Sequence, residues 1–180
     1  SQGDRYHNMR ILVRPQLADI VSSGSVLLIN SPAVDTRIPW ASMQQPLGLL
    51  QIGSNLVSQG CSVRLIDCLQ TNNNRLPRTK VGDTKIDEYK IDIWQFGLAT
   101  KKVAQTLRSW HKDGWTPQTI LISSGLSCWW QGAKTIIDEI KNITSVPLVL
   151  GGQYPTAYPE HAQHNTQADL LVSGQLQNLI

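Results

Sequence analysis

The sequence predicts an α/β protein of the flavodoxin-like or Rossmann-like kind: a three-layer fold with a five-stranded parallel sheet in the order 2-1-3-4-5. Three observations lead there. Short aliphatic runs alternate with stretches of helical period along the chain. The aliphatic runs are apolar at successive positions, as in strands covered on both faces. Several of them end in small residues, at Ser31-Pro32, Ser123-Ser124-Gly125-Leu126 and Gly151-Gly152. In such sheets ligands lie beyond the carboxyl ends of the strands, near the point where the strand order reverses.

Each element has its own signal. Residues 1–24 read as an N-terminal extension, and "SQGDRYHNMR" lacks the apolar core of a signal peptide. The domain itself spans residues 25–180, with 69–117 an excursion from its core. "SVLLINSP" (25–32) is a buried strand closed by Ser-Pro. The loop after it, "AVDTRIPWASMQQ", is long for a strand-to-helix connection, and such loops tend to carry function. "PLGLLQIGSNLVSQG" reads as a helix with Pro46 in its first turn, Leu49, Ile52, Leu56 and Val57 on its apolar face, and Gly60 as its stop. "CSVRLIDC" is the second strand. The polar stretch 69–97 has no clear period, and Lys85 to Lys90 reads as a solvated loop. Val103, Leu107 and Trp110 mark a helix, and "QTILISSGLS" a third strand. Ile136, Ile137, Ile140 and Ile143 mark the next helix, "PLVLGG" a fourth strand, "PEHAQHNTQ" one or two helical turns, and "ADLLVSG" a fifth strand.

Composition excludes several functions. The net charge is +3 with no basic block, which argues against a nucleic-acid partner. No apolar run approaches the about 20 residues that span a membrane. Cys61, Cys68 and Cys128 form neither a CxxC nor a zinc pattern, so they read as buried reduced thiols of a cytoplasmic protein. His161 and His164 stand three apart without carboxylate or Cys partners nearby, so no metal site is assigned. No Ser-His-Asp arrangement or carboxylate pair stands out, and no residue is assigned a catalytic role.

Gly151-Gly152 ends an aliphatic run. Two glycines there serve either a tight turn or a backbone that something approaches closely. Ser124-Gly125-Leu126 resembles the S-x-L motif of cobalamin-binding Rossmann domains, and Gly151-Gly152 the G-G motif on the strand that follows. Pro46 to Leu49 (Pro-Leu-Gly-Leu) and Gly151 to Glu160 (Gly-Gly-x-x-x-Thr-x-x-Pro-Glu) extend the likeness, which covers most of Ser25 to Gly174. In combination these motifs are similar to the cobalamin-binding domain of cobalamin-dependent radical SAM enzymes. The resemblance implies cobalamin as cofactor, with its dimethylbenzimidazole tail buried beside the sheet. Ser124 would donate a hydrogen bond to the tail, Leu126 would wall it, and Gly151 and Gly152 would let the nucleotide loop pass. Ser31, Pro32, Trp40, Leu47, Gly125, Ser127, Trp129, Gln153, Tyr154 and Gly174 complete the implied cofactor-binding set.

Two departures qualify the likeness. Domains of the methionine synthase type carry D-x-H-x-x-G after the first strand, whereas "DTRIPW" has Arg37 and no His. The implied binding is therefore base-off and His-off, with Trp40, Trp129 or Trp130 covering the corrin. The C-x-x-x-C-x-x-C motif of the radical SAM barrel is also missing, so no iron–sulfur cluster is expected in this chain. The implied partner is a radical SAM catalytic domain of a methyltransferase, in cis or in trans. The competing expectation is a flavodoxin-like interaction or structural domain that has lost its cofactor. A flavin- or nucleotide-binding module is a third: Asp67 ends the second strand, where related folds hold a ribose, but no G-x-G-x-x-G follows the first strand.

Overall fold

Fourteen helices and strands, with two short 3-10 turns, are resolved in a computed structural model that describes residues 10–37, 45–71 and 75–176. Strand β1 (Arg10–Val13) lies in the stretch read as an extension, and a 3-10 turn at Leu17–Asp19 follows it. Strand β2 (Ser25–Asn30) is buried from Val26 onward, as a central strand must be. A short strand β3 (Ala33–Asp35) comes next, then helix α1 (Leu47–Ser58) and strand β4 (Ser62–Asp67). Strands β5 (Arg78–Ile86) and β6 (Tyr89–Phe96) form an antiparallel hairpin. Then come α2 (Thr100–Lys112), β7 (Thr119–Ser124), a 3-10 turn at Ser127–Trp129 and α3 (Trp130–Lys141). The described chain closes with β8 (Leu148–Gly152), α4 (Gln153–Ala157), α5 (Pro159–Asn165) and β9 (Leu170–Ser173).

The main sheet is parallel and has six strands in the order β1-β9-β8-β7-β2-β4. The five strands read from the sequence take the expected relative order. The expected strand count is corrected by β1, whose Arg10 to Val13 pair with Leu170 to Ser173. That strand escapes a pattern search because only Ile11 and Leu12 are half-buried on this sheet edge.

A second, three-stranded sheet, β3-β6-β5, is also new. Asp87 at φ 53° sits in a two-residue turn, so Lys85 and Lys90 face each other in a hairpin rather than a loop. Most of β5 is exposed, so no buried face imposes an alternating pattern on its sequence. Exposed pairs link its strands, Lys80 to Asp92 at 2.6 Å and Lys90 to Asp83 at 3.1 Å.

The faces of the main sheet are covered unequally. On one, Leu27, Ile29, Ile120, Ile122, Leu148, Leu150 and Leu171 pack under Val103 and Leu107 of α2, Ile136, Ile137 and Ile140 of α3, Tyr154 of α4 and Ala162 of α5. On the other, Val26, Leu28, Leu121, Val149 and Val172 pack under Leu49 and Leu56 of α1, with Leu17 and Val21 alongside. Val57 is 58% exposed, against the expectation for α1. It lies in the groove between α1 and β4, and β4 is the edge strand, so among the described residues no further strand covers it. Among the described residues, no helix is long and apolar enough to cross a membrane.

Candidate functional site at the strand ends

On the α3 side, the carboxyl ends of β2 and β7 are closed by the protein itself. Ser31 and Pro32 are buried, and the Ser31 N–H donates to the Ser123 carbonyl at 3.1 Å. The chain then runs over α3, where a Cβ on Gly132 would overlap the Pro32 carbonyl oxygen. The small sheet seals the junction: Ala33, Leu69, Phe96 and Trp129 form a separate core beneath it. The buried Trp129 donates its Nε1 hydrogen to Asp35 Oδ2 at 3.0 Å. Trp129 therefore anchors β3, which occupies it as a ring for covering a corrin. Its neighbour Trp130 makes edge contact with His161 at 4.9 Å and a tilted contact with Tyr154 at 6.1 Å.

Tyr154, one of the implied cofactor-binding residues, lies in the helical turn α4 and is buried. Its hydroxyl meets His161 Nδ1 at 2.8 Å, and burial pushes its pKa up to about 12. Cys68 lies under the same face, and burial, with Asp67 beside it, pushes its thiol up to about 12. Cys61 is buried too, but Cys128 is exposed, on the 3-10 turn ahead of α3, which corrects the expectation of three buried thiols.

The two serines that end β7 part company. Ser124 follows Ile122 by two positions and so points to the α3 side; it is 1% exposed, and its Oγ has no hydrogen-bond partner. Ser123 follows Leu121 and points to the α1 side, half-buried. Pairing aligns Asp67 with Asn30, Asn30 with Ser123, and Ser123 with Gly151. In-register residues share a face, so these four form one polar row across β4, β2, β7 and β8. The row crosses between β2 and β7, where the strand order reverses. Within it Asn30 Nδ2 donates to Asp67 Oδ1 at 2.8 Å, and the Leu69 N–H donates to the same oxygen at 3.0 Å.

Of the expected set, Ser124 and Gly151 thus lie on opposite faces of the sheet. The two glycines also differ. Gly152 has φ 102°, and a Cβ there would overlap the Ser124 carbonyl oxygen. The fold needs glycine at that position whatever binds. At Gly151 an added Cβ would meet nothing closer than the Val172 Cβ at 3.8 Å, an ordinary contact. Gly125 is exposed, Leu126 is 39% exposed and Ser127 half-buried, and all three lead from β7 into α3. Leu47 is 71% exposed at the start of α1. Gln153 is exposed, and the Gly174 N–H donates to Thr156 Oγ1 at 2.9 Å. Trp40 lies outside the described residues.

The described histidines are engaged elsewhere. His111 Nδ1 meets Thr116 Oγ1 at 2.8 Å, at the opposite end of the sheet, where Thr116 accepts from the first residue of β2. His164 Nδ1 meets the Glu160 carbonyl at 2.6 Å. No metal-binding cluster is present among the described residues. Sequence reading missed Asn30 and Ser123. Their signal is a polar residue within the last two positions of a strand, two residues after a buried leucine. No family model matches the chain, and no curated protein is significantly similar to it.

Proposed function

We propose that this chain is a cobalamin-binding module of flavodoxin-like fold that takes the cofactor base-off and without a histidine ligand, and presents it to a radical SAM catalytic domain in cis or in trans. Gly151 carries the reading. It stands at the strand ends beside the reversal of strand order, and the fold's own geometry does not require glycine there. A glycine unexplained by turn or packing leaves backbone open to a ligand. Cobalamin, when bound, supplies methyl-transfer chemistry. The chain's own part is to hold and orient it, and the free thiols agree with a cytoplasmic setting. No metal ligand is assigned to the chain.

Desalting the protein after mixing with hydroxocobalamin tests this. The protein fraction should carry a cobalamin spectrum in near-stoichiometric amount. A colourless protein at micromolar concentration would rule the reading out. Electron paramagnetic resonance of the cob(II)alamin-loaded protein should show no nitrogen superhyperfine splitting; a splitting would identify an axial nitrogen and refute the His-off, base-off mode.

A second reading rests on α1, whose twelve residues include no charged side chain and expose Leu47, Leu50 and Val57. Leu50 and Val57, with Leu65 of β4, border a groove of ≈ 290 Å³. On this reading the chain is an interaction domain that docks an apolar partner and binds no cofactor. A colourless protein that shows monodisperse association with a separately expressed catalytic domain would favour it.

A further inference from the structure

We infer that this chain pairs with a second copy of itself through strand β4 and helix α1. The two β4 strands run antiparallel across a two-fold axis and join the two main sheets into one. Such pairing is independent of cofactor binding.

The sheet edges point to it. An unpaired edge strand invites another strand, and proteins blunt such edges with short strands, charges, proline or bulges. Among the described residues, three of the four sheet edges are blunted. Strand β1 has four residues and opens on Arg10, and β3 has three. Strand β5 is nine residues long, but it carries Lys80 and Lys85 and a register shift between Lys80 and Gly82. Strand β4 has none of these devices. Its six residues, SVRLID, pair with β2 in unbroken register and include no proline or lysine. Its two charges are turned away from the edge. Arg64 is in register with Leu27, on the α2 side, and its guanidinium lies 4.8 Å from the Trp110 ring and 4.6 Å from the Trp115 ring. Asp67 accepts from Asn30 Nδ2 of β2 at 2.8 Å.

The backbone of β4 is set for pairing. The N–H groups of Ser62 and Cys68 donate to the Gly24 and Asn30 carbonyls, on the β2 side. Backbone groups alternate in direction along a strand, so those of Val63, Leu65 and Asp67 point to the open edge. With Leu65 opposite Leu65 of the second copy, Val63 meets Asp67, and these residues exchange hydrogen bonds across the axis.

The side chains specify a second copy as the occupant. Val63 and Leu65 are in register with Val26 and Leu28, on the α1 side, and with Leu50 and Val57 they border the groove of ≈ 290 Å³. In an isologous pair a residue near the axis meets its own kind, so a charge there would be repelled. None of the twelve residues of α1 is charged, so two copies of this helix can lie side by side on one face of the joined sheet. The helix is about 18 Å long and the strand about 20 Å, a face on the order of 500 Å² per copy, which reaches the about 1,000 Å² in total that a specific interface needs.

Sedimentation equilibrium of the full chain, with no cofactor added, tests this. The mass should rise from the 20.0 kDa of one chain to twice that value through the micromolar range of concentration. Leu65→Lys and Leu65→Glu each set like charges opposite one another, and each should weaken association at least about a hundredfold. Leu65 is exposed, so circular dichroism and the melting midpoint should stay near those of the parent protein. Mixed in equal amounts, the two variants should restore a pair with one copy of each, because opposite charges then meet at the axis. Val57→Lys, at an exposed position where lysine suits a helix, checks the α1 half and should weaken association at least about tenfold. A parent that keeps the mass of one chain up to about 100 µM would overturn the inference and leave this face to a different protein. A pair that the Leu65 variants and Val57→Lys leave unchanged would overturn it too. So would loss of association in both Leu65 variants without recovery in their mixture.

Discussion

The two sides of the main sheet meet their strand ends in opposite ways. On the α3 side the polypeptide folds back on itself: Pro32 lies on Gly132, Trp129 holds Asp35, and Tyr154 is buried against His161. Among the described residues, Ser124 Oγ on this side is a buried side-chain polar atom without a hydrogen-bond partner. On the α1 side α1 covers the sheet with Leu17 and Val21 alongside, and the strand ends carry Asp67, Asn30, Ser123 and Gly151 in a row. One side spends its small residues on packing, and the other carries them in register on a single face. A glycine's position in sequence therefore says less than which face it serves.

Substitution at Gly152 should show the largest effect. Gly152→Ala combines a strained positive φ with overlap on the Ser124 carbonyl, and should destabilise the fold by about 4 kcal/mol in urea unfolding. This departs from the expectation that both glycines serve the ligand alone.

Alkaline pH should come next, and it should act on the α3 side. Tyr154 and Cys68 are both raised to about 12, from ordinary values of 10.0 and 9.0. Each is neutral when protonated, and its folded pKa exceeds its unfolded one. Their stabilisation is thus complete below about pH 9 and is lost as pH climbs from 9 towards 12, on the order of 3 kcal/mol by pH 11. Unfolding midpoints measured from pH 7 to 11 should fall only above pH 9, and Tyr154→Phe should flatten the decline.

Gly132→Ala should cost about 2 kcal/mol, since overlap with the Pro32 carbonyl outweighs the about 1 kcal/mol gained from helix propensity. Gly151→Ala should have the smallest effect and the opposite sign, up to about 1 kcal/mol more stable, because alanine restricts the unfolded chain at a position whose native backbone accepts it. A loss at Gly151 comparable to that at Gly152 would erase the distinction between the faces.

Much of this was legible in the sequence, because burial on both faces imposes aliphatic runs. Val26 to Ile29, Ile120 to Ile122 and Leu148 to Leu150 announce central strands, and Ile136, Ile137 and Ile140 announce α3. What stayed hidden has little burial to write a pattern. Strand β1 is an edge, β5 is solvent on most sides, and β3 is only three residues long. Within the candidate site, the glycines stood out but not their separate duties, since φ and neighbouring carbonyls are set by tertiary packing. Ser123 and Ser124 read alike until alternation within β7 is known, and a register shift of one residue would exchange their faces.

The most direct measurement is the affinity for hydroxocobalamin of the parent protein and of Gly151→Val, read from absorbance titrations on protein of verified fold. The parent should bind at micromolar concentration, and the valine, placed on the α1 side, should weaken binding at least about a hundredfold while the melting midpoint stays within a few degrees. Equal affinity of the two proteins, or no binding by the parent, would contradict the assignment of Gly151 to a cofactor.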